Sequence, residues 1–178
     1  MYDATRYRVR PATTSDADAI CAVHVASIRG LCAADYTAEQ IDGWAGAKHP
    51  DRYRRAMAEG ERMFVAEMQT GATGGAIIGL AGILRNEIRA VYVHPDHVGR
   101  GVGGALLAAL EEQARSDGIE SLALHSTVNA RSFYLKHGYR DEGQTIFELR
   151  PGLELPCVKM SKRLAAASPT AASAPPGW

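Results

Sequence analysis

The sequence reads as a mixed α/β (α+β) domain, a mostly antiparallel sheet with helices on both faces. Three observations carry that reading. Apolar runs of strand character alternate with stretches of helical periodicity. Two strand-like runs, residues 76–84 and 87–93, are separated by Arg85 and Asn86 alone, the spacing of a tight hairpin. Further on, a strand, a glycine-rich loop, a helix and a second strand form a βαβ unit. The individual elements follow from local signals. Residues 7–10 are a first strand stopped by Pro11. Thr14, Ser15 and Asp16 offer an N-cap, and Asp16 and Asp18 suit the positive end of a helix dipole. Ile20, Val23, His24, Ser27, Ile28 and Leu31 then recur at helical spacing. Thr37-x-x-Gln40 is a capping box for a second helix, residues 37–44, and Pro50 leads into a short third one, 51–58. Residues 63–68 are a strand and 71–75 a turn. Leu106, Leu107, Leu110 and Ala114 mark the inner face of a helix beginning at Ala105 and ended by Gly118. A buried-type strand, 121–125, follows. Asn129 caps a helix over 130–136, which Gly138 closes. Residues 139–140, 145–149 and 157–161 are strand pieces.

A length of 178 residues suits one domain, 1–164, followed by an Ala/Pro/Ser-rich stretch, 165–178, expected to be a flexible tail. Twenty basic side chains balance twenty acidic ones. No broad positive field is therefore expected for nucleic acid or an anionic membrane. No apolar run reaches membrane-spanning length. The three cysteines are odd in number, lack a C-x-x-C spacing and sit in apolar runs. With no secretory signal at the start, they point to a reduced, cytoplasmic setting. His94-x-x-His97 lacks a third ligand at useful spacing and contains Pro95, so no metal site is expected.

The most informative stretch is V-G-R-G-V-G-G, residues 98–104. Gly99, Gly101, Gly103 and Gly104 remove side chains where a backbone must turn or approach something closely. The next helix points its free N–H groups into the loop, and Arg100 adds a positive charge. Together they make a seat for phosphate. A P-loop would need a Lys after the glycines, and none follows. The match to a dinucleotide fingerprint, Gly99-x-Gly101-x-x-Gly104, is formal. Five residues separate it from the strand, and residues 121–125 end without an acidic side chain for a ribose. A dinucleotide-dependent oxidoreductase is the remote alternative.

Residues 87–139 resemble the central motifs of the GNAT superfamily of acyl-CoA-dependent N-acyltransferases. The resemblance rests on the strand I-R-A-V-Y-V, the pair His94-Pro95, the loop V-G-R-G-V-G-G, the helix A-L-L-A-A-L-E-E and the later N-A-R-S-F-Y-L-K-H-G-Y. In the family loop, Q/R-x-x-G-x-G/A, Gly101 and Gly103 match the glycines, while Val98 stands where Gln or Arg is usual. The resemblance implies acetyl-CoA as co-substrate and two central parallel strands splayed apart. The diphosphate would lie on the loop Val98, Gly99, Arg100, Gly101, Val102, Gly103 and Gly104. The pantetheine arm would pair with the strand edge at Val91, Tyr92 and Val93. The resemblance further implies the backbone N–H of Val91 as oxyanion donor and Tyr134 as the acid that protonates the leaving thiolate. It makes Asn129 either a pantetheine contact or a plain N-cap.

Transfer of acetyl to an amine needs a neutral amine, a stabilised oxyanion and a protonated leaving group. Glu87 is the leading base, since some family members carry a Glu at this spacing before the loop; its alternative is a solvated strand-end carboxylate. His24 and His125 are reserves. The acceptor pocket is expected between the first two helices, from His24, Arg29, Tyr36 and Trp44, with His125 at its entrance. Tyr36 and Trp44 read equally well as core, and Arg29 either meets an acceptor carboxylate or pairs with Asp35. The expected activity is acetyl transfer to a primary amine, small molecule or peptide, by direct attack, because no cysteine lies in the motif segment to carry the acyl group. A catalytically silent acyl-CoA sensor on the same fold is the alternative. The oligomeric state, a homodimer included, is left open.

Overall fold

The structure is a computed structural model that describes residues 7–69 and 75–165. The turn at 71–74 and the tail from 166 onward lie outside these residues. The elements are β1 (Tyr7–Pro11), α1 (Ala17–Leu31), α2 (Ala38–Gly46), α3 (Pro50–Ala58), β2 (Arg62–Met68), β3 (Ile77–Leu84), β4 (Glu87–Val93), α4 (Val102–Ser116), β5 (Ser121–Thr127), α5 (Arg131–Lys136), β6 (Arg140–Arg150) and β7 (Leu153–Arg163). They form one seven-stranded sheet in the order β1-β2-β3-β4-β5-β7-β6. Every neighbouring pair is antiparallel except β4 and β5. The fold class expected from the sequence is the one observed.

Each face of the sheet is sealed by helices. On one face, Val102, Leu106, Leu107, Leu110 and Ala114 of α4 are buried against Ala81, Ile83, Ile88, Leu122, Leu124 and Met160. On the other, Ala17, Ile20 and Val23 of α1 and Tyr53 of α3 cover Val65, Leu80 and Ala90. Burial of each such large aliphatic side chain contributes about 1.5–3 kcal/mol. A third cluster joins Ile28, Cys32, Tyr36, Ile41 and Trp44 to Leu155 of β7. All three cysteines are buried and free, as their apolar surroundings in the sequence suggest. Within the α4 layer, Glu111 is a buried carboxylate. It accepts from Lys162 Nζ (2.7 Å), Tyr139 Oη (3.2 Å) and Arg115 Nη2 (3.3 Å). That satisfied charge ties α4 to β7 and to Tyr139, in the turn between α5 and β6.

Helix starts differ from the sequence reading in three places. The Thr37–Gln40 capping box forms at α2 as its spacing predicts. At α1 a single 3-10 turn, Thr14–Asp16, precedes the helix, and Thr13 rather than Thr14 forms a capping box with Asp16. Helix α4 starts at Val102, three residues before the expected Ala105, because Gly101 adopts φ +80° and acts as its N-cap. Asn129 does not cap α5; it lies within a 3-10 turn, Val128–Ala130. The strand pieces near the end join into two long strands. The stretch 141–144 hides β6 because its register shifts between Asp141 and Gln144, and most of this edge strand is exposed. Pro156 is tolerated inside β7 because pairing with β5 ends at Cys157, so no neighbour needs its missing N–H on that side.

Two features of β4 shape the site. In its register with β3, Gly82 pairs with Ala90 but Ile83 with Ile88, so Arg89 is an extra, bulged residue. The bulge reverses the side-chain alternation, and Ile88 faces the α4 core while Ala90 faces the α1/α3 core. On its other edge, β4 pairs with β5 at Glu87–Ala123 and Ile88–Leu124, with Ala123 N–H donating to Asn86 O at 3.0 Å. Beyond Ile88 the two strands part, while β5 stays paired with β7 up to Thr127. This is the splayed parallel pair.

Candidate active site

The parting leaves a slot of about 30 Å³ between β4 and β5, lined by Val91, Tyr92, Ser126, Ala130 and Tyr134 among others. It adjoins a larger cavity of about 160 Å³ on the α1/α2/α3 side, with Ile88, Arg89, Ala90, Tyr92, His125 and Thr127 lining both. His94 N–H donates to Ile78 O on β3 at 2.8 Å. Along a strand successive N–H groups point to opposite edges. That of Tyr92 therefore faces β3, and those of Val91 and Val93 face the slot.

Tyr134 on α5 is 6% exposed and reaches the slot, while its neighbour Phe133 turns the other way, against Gly103. Burial pushes the Tyr134 phenol well above its ordinary pKa, so it is protonated at neutral pH.

The glycine loop divides by role. Gly99 and Gly101 have φ of +74° and +80°, a region side-chain-bearing residues avoid. Gly103 and Gly104 are helical. A Cβ on Gly103 would lie 3.3 Å from the Phe133 ring, and one on Gly104 3.1 Å from His137 Nε2. Two glycines shape the turn, and two let α5 pack closely on α4. Val102 is buried in the core, and Val98 and Arg100 are exposed. Among the described residues, no N–H from Gly99 to Gly104 donates to an acceptor within the protein. The first turn of α4 therefore presents free donors at its positive end.

On the cavity side, Glu87 and His125 come together across the parting strands, with Oε1 and Nδ1 3.9 Å apart. Arg89 Nη1 donates to the other Glu87 oxygen at 3.1 Å. The bulge at Arg89 is what lets Glu87, Arg89, Ala90 and Tyr92 line one cavity. His24 is buried. Its Nδ1 pairs with Tyr53 Oη at 2.9 Å and its ring lies 3.9 Å from that of Tyr92. Burial holds its pKa well below 6.5, so it is neutral at pH 7. Trp44 meets Tyr36 and Tyr92 edge-on, at 5.8 and 6.3 Å between ring centroids.

Two sequence expectations for side chains, those for Arg29 and Asn129, are corrected. Arg29 pairs with Asp42 at 2.7 Å, not with Asp35, and lies on the surface outside the cavity. Tyr36 lines the cavity with its ring, but its hydroxyl is committed: it donates to Pro156 O (2.7 Å) and accepts from Val128 N–H (3.1 Å), clamping β7 to the loop after β5. Asn129 donates to Leu31 O (3.1 Å) and accepts from Cys32 Sγ (3.7 Å), tying its loop to the end of α1 rather than facing the slot. The sequence reading also missed cavity residues. Lys48, Arg52 and Tyr53 come from α3 and the turn before it, Glu61 precedes β2, and Phe147 and Leu149 come from β6. The only signal was two cations four residues apart, Lys48 and Arg52, either side of Pro50. None marked β6.

The profile of the Acetyltransferase (GNAT) domain family matches residues 32–164. The chain is 32% identical over 138 residues to the aminoalkylphosphonate N-acetyltransferase of Salmonella typhimurium, covering 74% of this chain and 84% of that protein. Among solved structures it resembles a GCN5-related N-acetyltransferase from Rhodopseudomonas palustris, with 32% identity, a TM-score of 0.79, and 92% of this chain and 99% of that one covered. The fold is also that of yncA from Salmonella typhimurium, solved with its cofactor acetyl-CoA, at 24% identity and a TM-score of 0.62, over 94% of this chain and 100% of that one. With the splayed pair and the glycine turn in place, the chain belongs to the GNAT acetyltransferases.

Proposed function

We propose that the chain moves acetyl from acetyl-CoA to a primary amine by direct attack in a ternary complex. The observation that carries this is the parting of β4 and β5, which turns Val91 and Val93 N–H groups toward a slot that Tyr134 lines. The free N–H groups from Gly99 to Gly104 seat the diphosphate, and Arg100 adds charge at its rim. Val91 and Val93 pair with the pantetheine amides as an added strand would. Tyr92 contributes through its ring, which lines both slot and cavity.

An alkylamine with a pKa near 10.4 is neutral in about one molecule in 2,500 at pH 7, so a base is needed close by. Glu87 takes the proton, with His125 beside it. The amine lone pair attacks the thioester carbon, and the carbonyl oxygen gathers charge against Val91 N–H. Such a preorganised donor is worth about 3 kcal/mol. The tetrahedral intermediate's cationic nitrogen gives up its remaining extra proton to water as it collapses, the C–S bond breaks, and the thiolate takes a proton from Tyr134, which regains one from solvent. A raised phenol pKa opposes that last step in isolation. The slot that desolvates the phenol also desolvates the thiolate and raises its basicity in turn. The relative from Salmonella typhimurium is named for an aminoalkylphosphonate acceptor, which is an alkylamine.

The test is thiol release from acetyl-CoA with a panel of amines, alongside calorimetry with coenzyme A. The expected result is tight coenzyme binding and amine-dependent release of one thiol per acetylated amine. Saturable binding with no turnover on any amine would indicate the silent sensor. Binding of a nicotinamide dinucleotide in place of coenzyme A would overturn the assignment.

A further inference from the structure

The larger cavity holds five charged side chains besides its histidines: Lys48, Arg52, Arg89, Glu61 and Glu87. Arg89 is spent on Glu87 at 3.1 Å. Among the described residues, neither Lys48 nor Arg52 forms an ion pair with a carboxylate, although both line the cavity. Lys48 comes from the turn after α2 and Arg52 from the third position of α3, near enough that Arg52 acts electrostatically on Lys48. They face the α1 side, where both act electrostatically on His24. His125 lines both the cavity and the slot, and Glu87 stands 3.9 Å from it on the cavity side. The cavity thus carries two kinds of charge: a carboxylate beside an imidazole, and two cations without an ion-pair partner, of which Arg52 has Glu61 as a more distant counter-charge. Burial of an unpaired ammonium is unfavourable, and it drives the Lys48 pKa down to about 8. An empty site that carries such a cost is relieved when a counter-charge enters.

We propose that the amine acceptor carries an anionic group, a carboxylate or phosphonate-type oxyanion, at the end remote from its amine, and that Lys48 and Arg52 bind it. This rests on the acetyl-transfer reading above. The amine is held toward Glu87 and the slot, and the anion is held toward α3. Glu61 lies between, on the strand side over Gly82, and its carboxyl is raised by burial. The competing reading, a diamine bound through Glu61 and Glu87, would place the remote ammonium against the two free cations.

Four alkylamines of similar length decide the matter: aminopropylphosphonate, γ-aminobutyrate, butylamine and putrescine, each with acetyl-CoA and thiol release as the readout. The two anionic amines are expected to exceed butylamine in kcat/KM by about tenfold or more, with putrescine lowest. Their mutual ratio tells a dianion site from a carboxylate site. Lys48→Met and Arg52→Gln should each collapse the anionic-to-neutral ratio toward one, and Lys48→Arg should recover part of it. Lys48 is half-buried and Arg52 exposed, and neither exchange breaks an ion pair, so the fold is expected to hold; unchanged coenzyme A affinity checks this. Equal kcat/KM for butylamine and the anions, or a preference for putrescine, overturns the proposal. If no amine is turned over, the transfer reading fails separately. Calorimetry with aminopropylphosphonate then reads the anion site alone: binding lost in Lys48→Met supports it, and no binding to the unaltered protein overturns it.

Discussion

The two flanks of β4 are built on different principles. Toward α4 and α5 the site is made of main chain: two N–H groups on a strand edge, a glycine turn and the free donors of a helix, all from one stretch ending at Gly104. Toward α1 and α3 it is made of side chains gathered from eight elements and the turns between them. Backbone donors are removed only by proline; any other substitution can at most misplace them. Side chains can be exchanged one at a time without disturbing the sheet. The first flank is therefore suited to a ligand that never changes, and the second to one that varies between enzymes of the same fold.

The largest effect is expected from misplacing the main chain. Gly101→Glu forces a side chain into φ +80° and sets a carboxylate where the diphosphate would lie. Coenzyme A affinity by calorimetry should fall about a hundredfold or more. Gly101→Ala, which carries the strain without the charge, should lose less. If Gly101→Glu binds coenzyme normally, the backbone flank does not hold the diphosphate. Tyr134→Phe comes next. It keeps the ring packed between Phe133 and Tyr139 and removes the proton donor. A drop in kcat of about a hundredfold is expected, with KM for acetyl-CoA within about twofold. Unchanged kcat would remove Tyr134 from the chemistry.

Glu87→Gln probes the boundary between the flanks. Loss of the base should lower kcat/KM for the amine about tenfold at pH 7. The deficit should narrow as pH rises, because a growing fraction of the amine is then neutral without help. A deficit independent of pH would assign Glu87 to positioning, through Arg89 or His125, rather than proton removal.

What the sequence discloses follows the same division. The backbone flank is contiguous and local. The hairpin at Arg85-Asn86, the apolar run before the loop and the glycine turn are each readable by short-range rules, and β4 begins and ends where they place it. The splay itself is not a local property; the family resemblance supplied it. The side-chain flank is assembled by tertiary packing. Lys48 and Arg52 lie in and just before a nine-residue helix rich in charge, where charged residues read as a solvated face. Phe147 sits on an exposed edge strand interrupted by Gly143, with no periodicity to single it out. The bulge at Arg89 reverses alternation without any Gly or Pro to announce it. Arg29 shows the opposite error: it sits on a predicted helix near His24, yet five residues on, about 140° round the helix, it lies on the outside. Asn129 is a residue of capping type at a helix start, drawn away by a free carbonyl at the end of α1.

The smallest effect belongs to Arg29→Ala, and its smallness is what makes it useful. The Arg29–Asp42 pair joins α1 to α2 at 2.7 Å, with both side chains at least half exposed. Water screens such a pair, and its contribution to stability is about 0–1 kcal/mol. The melting temperature should therefore fall by no more than a few degrees. Since Arg29 does not line the cavity, kcat/KM for anionic and neutral amines alike should stay within about twofold of the unaltered protein. Lys48→Met removes the same unit of charge from inside the cavity. If charge acted over the whole protein rather than through contact, the two variants would weaken anionic acceptors to similar degrees at low salt. A loss confined to Lys48→Met assigns recognition to the cavity wall. A comparable loss in Arg29→Ala would extend the acceptor to the C-terminal end of α1, and the side-chain flank would then reach beyond the cavity.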